Sequence, residues 1–268
     1  MSSLGSLIDD AALFPPGNAP MPVAVAAHRY HLGEPHADLI GPFLCPVDRV
    51  RELRAELRTG DRIRVGLIAA PDRADRADRA DLAEAAAAVD ADDRLELDRV
   101  ELPLDPAGVA PTAAALDLDP DVPAYLELPW TAAGRAALDE LRARRGPRIL
   151  HAKFRTGGAV VPPVDALAER IVACHRGVPV GFKCTAGLHA AVRHDDAHGF
   201  LNVLVAAGTA ARGAPVAEVA AVLAETSADR LVARLREADT TGAFHSFGSC
   251  SITEPLADMV ALGLWSAP

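Results

Sequence analysis

The 27 basic residues of this 268-residue chain include only two lysines, Lys153 and Lys183. Arginine stays protonated in proteins, whereas a desolvated lysine can lose its proton and attack a carbonyl carbon. Both lysines end short apolar runs and precede small residues that would begin a loop. We therefore treat them as candidates for amine chemistry, in which a lysine nitrogen bonds covalently to an aldehyde or ketone.

The two lysines belong to consecutive apolar runs, the sixth and the seventh along the chain. If these runs are adjacent parallel strands, the two amines lie on neighbouring strand ends. One ammonium disfavours another beside it, so the sequence predicts a lowered pKa for one of the two amines. The other amine would then serve as a proton donor to the nucleophile.

Eight apolar runs, most of them rich in β-branched or bulky residues, alternate with amphipathic stretches along the chain. This order predicts an α/β fold, a (β/α)8 TIM barrel formed by residues 1–268 as one domain. In such barrels the C-terminal strand ends carry the chemistry. The predicted strands are Leu7–Ala12, Leu39–Leu44, Ile63–Ala69, Leu95–Leu102, Ala124–Leu128, Ile149–Phe154, Val180–Cys184 and Ala243–Phe247.

Helical patterns separate most of these strands. Thr131 is a predicted N-cap, and the charged repeat Asp72–Asp81 is interpreted as the solvated start of an Ala-rich helix. Residues 188–241 are long for one crossover and predict an extra helical insertion between strands 7 and 8, which could cover the site. The predicted helices are Val47–Leu57, Leu82–Val89, Thr131–Arg144, Pro163–Cys174, His198–Ala207, Val216–Ala224, Ala228–Ala238 and Glu254–Leu264.

Composition narrows the possible partners. The formal net charge of −10 argues against nucleic acid, whose phosphates need a basic face. Apolar runs stay shorter than the roughly 18 residues of a membrane span, and the N-terminus lacks a basic segment before an apolar one, so we expect a cytoplasmic protein. The remaining expectation is a small-molecule partner, with a homo-oligomer left open.

The lysine segments resemble those of deoxyribose-phosphate aldolase and its class I aldolase relatives. That family carries K-T-S-T-G on strand six and K-x-x-G-G-[IV]-R on strand seven, compared here with Lys153-Phe-Arg-Thr-Gly157 and Lys183-Cys-Thr-Ala-Gly-Leu-His189. Four further segments follow in the family's order along nearly the whole chain. They are Leu7-Ile-Asp9 on strand one, Glu96-Leu-Asp98-Arg-Val100 on strand four, Glu127 on strand five and Gly248-Ser249-Cys250-Ser251 on strand eight.

The resemblance implies a carbon–carbon lyase that forms a Schiff base and needs no cofactor or metal. Lys153 would form the imine, Lys183 would lower its pKa and move protons, and Asp98 would be the carboxylate of that relay. Gly187 and the turn from Gly248 through Ser249 would bind a substrate phosphate through backbone N–H groups.

Other polar residues near the predicted strand ends complete the candidate site. Asp9 and Glu127 are acids on strands one and five, and Arg155 and His189 could bind an anionic group. The chain departs from the family at Ala11, Arg155 and His189, where relatives carry Thr, Ser and Arg. The resemblance implies a small carbonyl substrate. The departures leave open whether that substrate carries a phosphate or another anionic group.

Two alternatives remain at this stage. The first is a lyase or hydrolase on the same barrel that depends on a metal or on histidine, with His189 and His245 joined by Asp195 or Asp196. The second is a binding relative without catalytic activity. His198 and Asn202, one helical turn apart, would face the site if the insertion covers it.

Overall fold

The computed structural model describes residues 5–69, 76–158, 160–237 and 243–266. Eight parallel strands follow one another in chain order, and β8 pairs with β1 to close the barrel. The prediction of a TIM barrel is thus confirmed. The strands are β1 (Ile8–Asp10), β2 (Ile40–Pro46), β3 (Ile63–Ile68), β4 (Leu95–Pro103), β5 (Ala124–Glu127), β6 (Leu150–Arg155), β7 (Phe182–Thr185) and β8 (Phe244–Ser249).

Helices on the outside of the barrel connect the strands. Two of them, Met21–Leu32 and Val109–Ala114, were not predicted, and Thr131 precedes the helix Ala132–Ala143 without a capping hydrogen bond from its side chain. Residues 72–75 of the charged repeat lie outside the described residues. The helices are α1 (Met21–Leu32), α2 (Val50–Glu56), α3 (Arg76–Asp90), α4 (Val109–Ala114), α5 (Ala132–Ala143), α6 (Val164–His175), α7 (Phe200–Ala211), α8 (Val216–Leu223), α9 (Ala228–Glu237) and α10 (Thr253–Ala261).

Alternation along the strands separates an apolar layer from a polar interior. Phe154 and Phe182 point outward from β6 and β7, with ring centroids 5.5 Å apart, and Phe182 also meets His175 of α6. Lys153 directly precedes Phe154, and Lys183 directly follows Phe182. Because successive side chains of a strand face opposite sides, both lysines point into the barrel. Burial of the outer layer against the helices fixes the register that directs both lysines inward.

The insertion between β7 and β8 forms three helices, as predicted, but it packs on the outside of the barrel. All residues of α7 except Ala211 are buried, and α8 and α9 pack against that helix. Among the described residues that line the central cavity, none lies on α7, α8 or α9. The expectation that these helices cover the site is therefore wrong. Instead, α8 and α9 pack on α7 and bury its apolar side chains.

His198 and Asn202 serve this packing rather than the site. Asn202 Nδ2 donates to Val222 O at 2.9 Å, and His198 Nε2 lies 2.8 Å from Pro162 O. Both side chains are fully buried. In the described part of the chain, no helix is both long and apolar enough to span a membrane.

Candidate active site

The register of the barrel brings the two lysines together. Lys153 on β6 is the direct partner of Lys183 on β7, and Glu127 on β5 is the partner of Lys153 on its other side. Side chains on adjacent strands at one level lie within contact distance, because neighbouring strands are about 4.8 Å apart. The predicted placement of both lysines on neighbouring strand ends is confirmed.

A cavity of about 400 Å³ opens at the C-terminal ends of the strands, and its polar wall comes from β4, β5 and β6. Glu101, Glu127, Lys153 and Arg155 contribute this wall. Lys153 is 5% exposed, whereas Lys183 is fully buried at 0%. A molecule in the cavity can therefore reach the amine of Lys153, while Lys183 lies deeper inside the barrel.

Three carboxylates surround the two ammonium groups. Glu101 of β4 contacts both lysines, with Oε1 at Lys183 Nζ and Oε2 at 2.9 Å from Lys153 Nζ. Glu127 Oε2 lies 3.1 Å from Lys153 Nζ, and Asp9 Oδ2 lies 2.6 Å from Lys183 Nζ. Each ammonium is thus paired with two carboxylates, and Glu101 is the carboxylate that both of them share.

This pairing reverses the predicted effect on Lys153. Burial by itself would lower the pKa of Lys153, but the charges of Glu101 and Glu127 outweigh burial and raise that pKa above its ordinary value. Burial would likewise raise the pKa of Glu101, and the two lysines outweigh it and lower that pKa. The expectation that one lysine leaves the other uncharged is therefore wrong for Lys153, because carboxylates contact both ammonium groups.

Two buried carboxylate oxygens of this network, Asp9 Oδ1 and Glu101 Oε2, lack a hydrogen bond among the described residues. Glu101 Oε2 is buried and has no hydrogen-bond partner among the described residues, although it lies 2.9 Å from Lys153 Nζ. The pair is therefore close without being aligned as a hydrogen bond. An oxygen with free lone pairs beside the amine is a suitable acceptor for the amine's proton.

Asp98 does not reach either lysine, which corrects its expected place in the relay. Val65 of β3 pairs with Leu97 of β4, and the next residue, Gly66, pairs with Arg99. Asp98 therefore has no partner on β3 and is the extra residue of a β-bulge. Its carboxylate contacts Arg99 Nε at 2.6 Å and Arg64 Nη1 at 3.2 Å. The bulge shifts the alternation of β4, so Glu101 takes the position between the lysines.

Asp9 points into the barrel, yet it is fully buried and contacts protein groups rather than the cavity. Ser246 Oγ donates to Asp9 Oδ2 at 2.8 Å, and Arg99 Nη1 donates to Ser246 Oγ at 3.0 Å. These contacts hold the carboxylate against Lys183. Asp9 was predicted to bind substrate, but it does not line the cavity, and it contacts Lys183 instead.

Glu127 and Arg155 form a second ion pair at the cavity wall. Arg155 Nε donates to Glu127 Oε1 at 2.9 Å, and Glu127 Oε2 contacts Lys153. The pKa of Glu127 is lowered, because Lys153 and Arg155 outweigh the effect of burial. Glu127 therefore links the exposed guanidinium to the amine.

The turns expected to bind phosphate are only partly at the cavity. Gly248 lines it, whereas Ser249 is buried and donates its hydroxyl hydrogen to Ser251 O at 2.7 Å. Gly187 has a φ of +78° and packs closely on Gly157, where a side chain would clash. Its neighbour Ala186 lines the cavity in place of Gly187.

His189 and Cys250 occupy the rim of the same cavity. His189 Nδ1 lies 3.3 Å from Glu254 Oε2 and 3.9 Å from Cys250 Sγ. Burial raises the pKa of the Cys250 thiol, which therefore stays protonated near neutral pH. His189 is a candidate proton donor or acceptor for a bound molecule.

The other strand histidines lie near the opposite ends of the strands. His245 is the extra residue of a bulge on β8, and its Nδ1 contacts the Tyr125 hydroxyl at 2.7 Å. His151 faces His245, with ring centroids 4.6 Å apart. The hypothesis of a metal bound by His189 and His245 together is therefore not supported by their placement. Within the described ranges, no group of three or more His, Cys, Asp or Glu side chains has the arrangement of a metal site.

We compared the chain with protein-family models, curated proteins and solved structures, and none of the three comparisons gave a match.

Proposed function

We propose that this TIM barrel is a class I aldolase-like enzyme that makes or breaks a carbon–carbon bond in a small carbonyl compound through a Schiff base on Lys153. The observation that supports it best is a buried lysine at the wall of a cavity, in contact with two carboxylates. Such a pair supplies both the nucleophile and the acceptor for its proton.

Imine formation starts with loss of a proton from Lys153. Glu101 Oε2, 2.9 Å away and without a hydrogen bond, is the nearer acceptor, and Glu127 lies at 3.1 Å. The free amine then adds to the substrate carbonyl to give a carbinolamine. Return of the proton to the carbinolamine oxygen releases water and leaves the iminium.

The iminium then withdraws electrons from the neighbouring carbon–carbon bond. In the cleavage direction, a base removes the proton of the β-hydroxyl, the bond breaks to give an aldehyde, and the electron pair forms an enamine. Protonation of the enamine carbon and hydrolysis release the second product and restore Lys153. Glu127 and His189 line the cavity and are our candidates for these proton transfers.

Lys183 has a positioning role in this scheme. It contacts Asp9 and Glu101 and lies fully buried behind Lys153. Its positive charge keeps Glu101 ionised, and the contact holds that carboxylate beside Lys153. We propose kinship with deoxyribose-phosphate aldolase on the same grounds, because its two strand-end lysines correspond to Lys153 and Lys183.

The test is exchange of hydrogen for deuterium at the carbon next to a carbonyl. Enamine formation labilises that hydrogen, so incubation of a small ketone or aldehyde in D₂O with the protein should give exchange above the uncatalysed rate by nuclear magnetic resonance. The variant Lys153→Arg keeps the positive charge and should exchange at background. Equal exchange by both proteins would contradict the proposal, as would background exchange by the parent protein with every carbonyl tested.

A further inference from the structure

The cavity has an apolar wall across the barrel from the lysine. Ala11 follows β1, Leu44 lies within β2 and Ile68 ends β3. The three form a small buried cluster, separate from the main core, with Phe14 packed against it. All four line the cavity. Because β2 lies opposite β6 in a closed eight-stranded barrel, this cluster faces the strand that carries Lys153.

The charges of the polar wall cancel one another. Among the described lining residues, the acids Glu101 and Glu127 balance the bases Lys153 and Arg155. Arg155 is engaged by Glu127 through two nitrogens, at 2.9 and 3.4 Å. His189, the other basic group at the rim, lies 3.3 Å from Glu254. A doubly charged phosphate would find no surplus positive charge among these side chains, so its desolvation would be compensated less than in a site with a net positive charge.

We propose that the carbonyl compound bound by Lys153 is uncharged and carries an apolar group, such as an aliphatic aldehyde, rather than a sugar phosphate. This inference rests on the proposed function and concerns the part of the substrate that does not react. The carbonyl end meets Lys153 and the carboxylates, and the apolar group packs on Leu44, Ile68 and Phe14. Binding of an apolar group removes both that group and the apolar wall from contact with water, and the hydrophobic effect therefore favours binding.

The experiment compares three small aldehydes: pentanal, glyceraldehyde and glyceraldehyde 3-phosphate. Each is incubated with the full chain and reduced with borohydride, and the mass gained at Lys153 is followed with time. Each rate is divided by the rate with a free lysine derivative, which removes differences in intrinsic reactivity. We expect pentanal to be trapped at least about tenfold faster than the phosphorylated aldehyde after this correction.

A matched pair of variants tests the wall itself. Ile68→Val and Ile68→Thr introduce side chains of nearly the same shape. Only threonine carries a hydroxyl, which loses contact with water when the apolar group of the aldehyde binds against it. We expect Ile68→Thr to trap pentanal about tenfold more slowly than Ile68→Val, with similar rates for the phosphorylated aldehyde. Thermal denaturation of both variants checks that the barrel is intact, and the three-aldehyde comparison on the unaltered chain does not depend on them.

The outcomes separate this inference from the function on which it rests. Preferential trapping of the phosphorylated aldehyde at Lys153 would overturn the inference and leave the Schiff-base proposal standing. Equal pentanal rates in two folded Ile68 variants would also overturn it. Absence of trapping at Lys153 with all three aldehydes would overturn both.

Discussion

Lys153 and Lys183 are register partners on adjacent strands, and yet only Lys153 lines the cavity. Their shared partner Glu101 holds the two ammonium groups in one network of ion pairs. In the proposed mechanism, Lys153 at the cavity wall meets the substrate, and the more deeply buried Lys183 fixes the carboxylate beside it. This division of roles leads to the following predictions.

Replacement of Lys153 by arginine should abolish covalent chemistry with little loss of structure. Arginine keeps the positive charge opposite Glu101 and Glu127, but its guanidinium does not form an imine under these conditions. We expect no reductive trapping by Lys153→Arg and a thermal midpoint close to that of the parent. Trapping at the parent rate in this variant would remove Lys153 from the account.

The sequence allows prediction of where the lysines lie, but not of how they are charged. Alternating apolar runs were enough for the eight strands, because burial of the outer faces determines which side chains point inward. Asp98 was misplaced because a bulge in β4 shifts the alternation by one residue. A single residue's type does not predict a bulge, so the pattern of strand four alone does not identify Glu101 as the carboxylate that both lysines share.

Replacement of Lys183 by methionine should destabilise the barrel strongly. Asp9 and Glu101 would lose a buried cation that contacts both of them, and breaking a buried ion pair costs about 3–5 kcal/mol. We expect the free energy of unfolding, measured with denaturant, to fall by about that amount. Lys153→Met, at the cavity wall where water can enter, should cost less.

A double variant separates the lost pairing from lost packing. If Lys183→Met leaves Glu101 unpaired, adding Glu101→Gln should restore part of the stability, because the amide carries no charge to bury. A double variant as unstable as the sum of the two single variants would show that the two groups are not coupled.

Imine formation in the parent protein should accelerate with pH. Because Glu101 and Glu127 raise the pKa of Lys153, the amine is protonated at neutral pH and reacts through a small neutral fraction. With a fixed, subsaturating carbonyl, we expect the initial rate to rise about tenfold per pH unit from pH 6 to 9. A plateau starting near pH 7 would indicate an amine that is already free.

Removal of the charge at residue 101 should move this profile to lower pH. Glu101→Gln deletes a carboxylate that favours the ammonium form of Lys153, so the pKa of Lys153 should fall. The maximal rate should fall as well, because the proton acceptor is lost. Asp98→Asn is the matched control, since Asp98 contacts Arg64 and Arg99 and should leave the profile in place.

Acid should destabilise the opposite end of the barrel through His151. Burial, reinforced by His245 and Arg99, lowers the pKa of His151 to about 3, so the folded protein resists a proton that the unfolded chain binds. Stability should therefore decrease as pH falls from about 6.5 towards 3. The thermal midpoint, measured as a function of pH, should decrease less in His151→Gln than in the parent. In the control variant His194→Gln, at an exposed histidine, it should decrease as in the parent.

The extra helices illustrate the same limit of sequence reasoning as the bulge. Their existence and approximate bounds were predicted from the length of the segment between β7 and β8. Their location was not predicted. It depends on which face of α7 is left exposed after α7 packs on the barrel, because α8 and α9 bury that face. The apolar cluster of Ala11, Leu44 and Ile68 was also beyond prediction, since it joins residues of three separate parts of the chain.

The most direct test of the account is to locate the carbon atoms that borohydride fixes to the protein. The chain is incubated with a small aldehyde, reduced, digested and mapped by mass spectrometry. We predict one added alkyl group, on the peptide that contains Lys153, with the peptide of Lys183 unmodified. Modification of Lys183 instead, or a folded protein that carries no label at either lysine, would contradict the claim that Lys153 is the reactive amine.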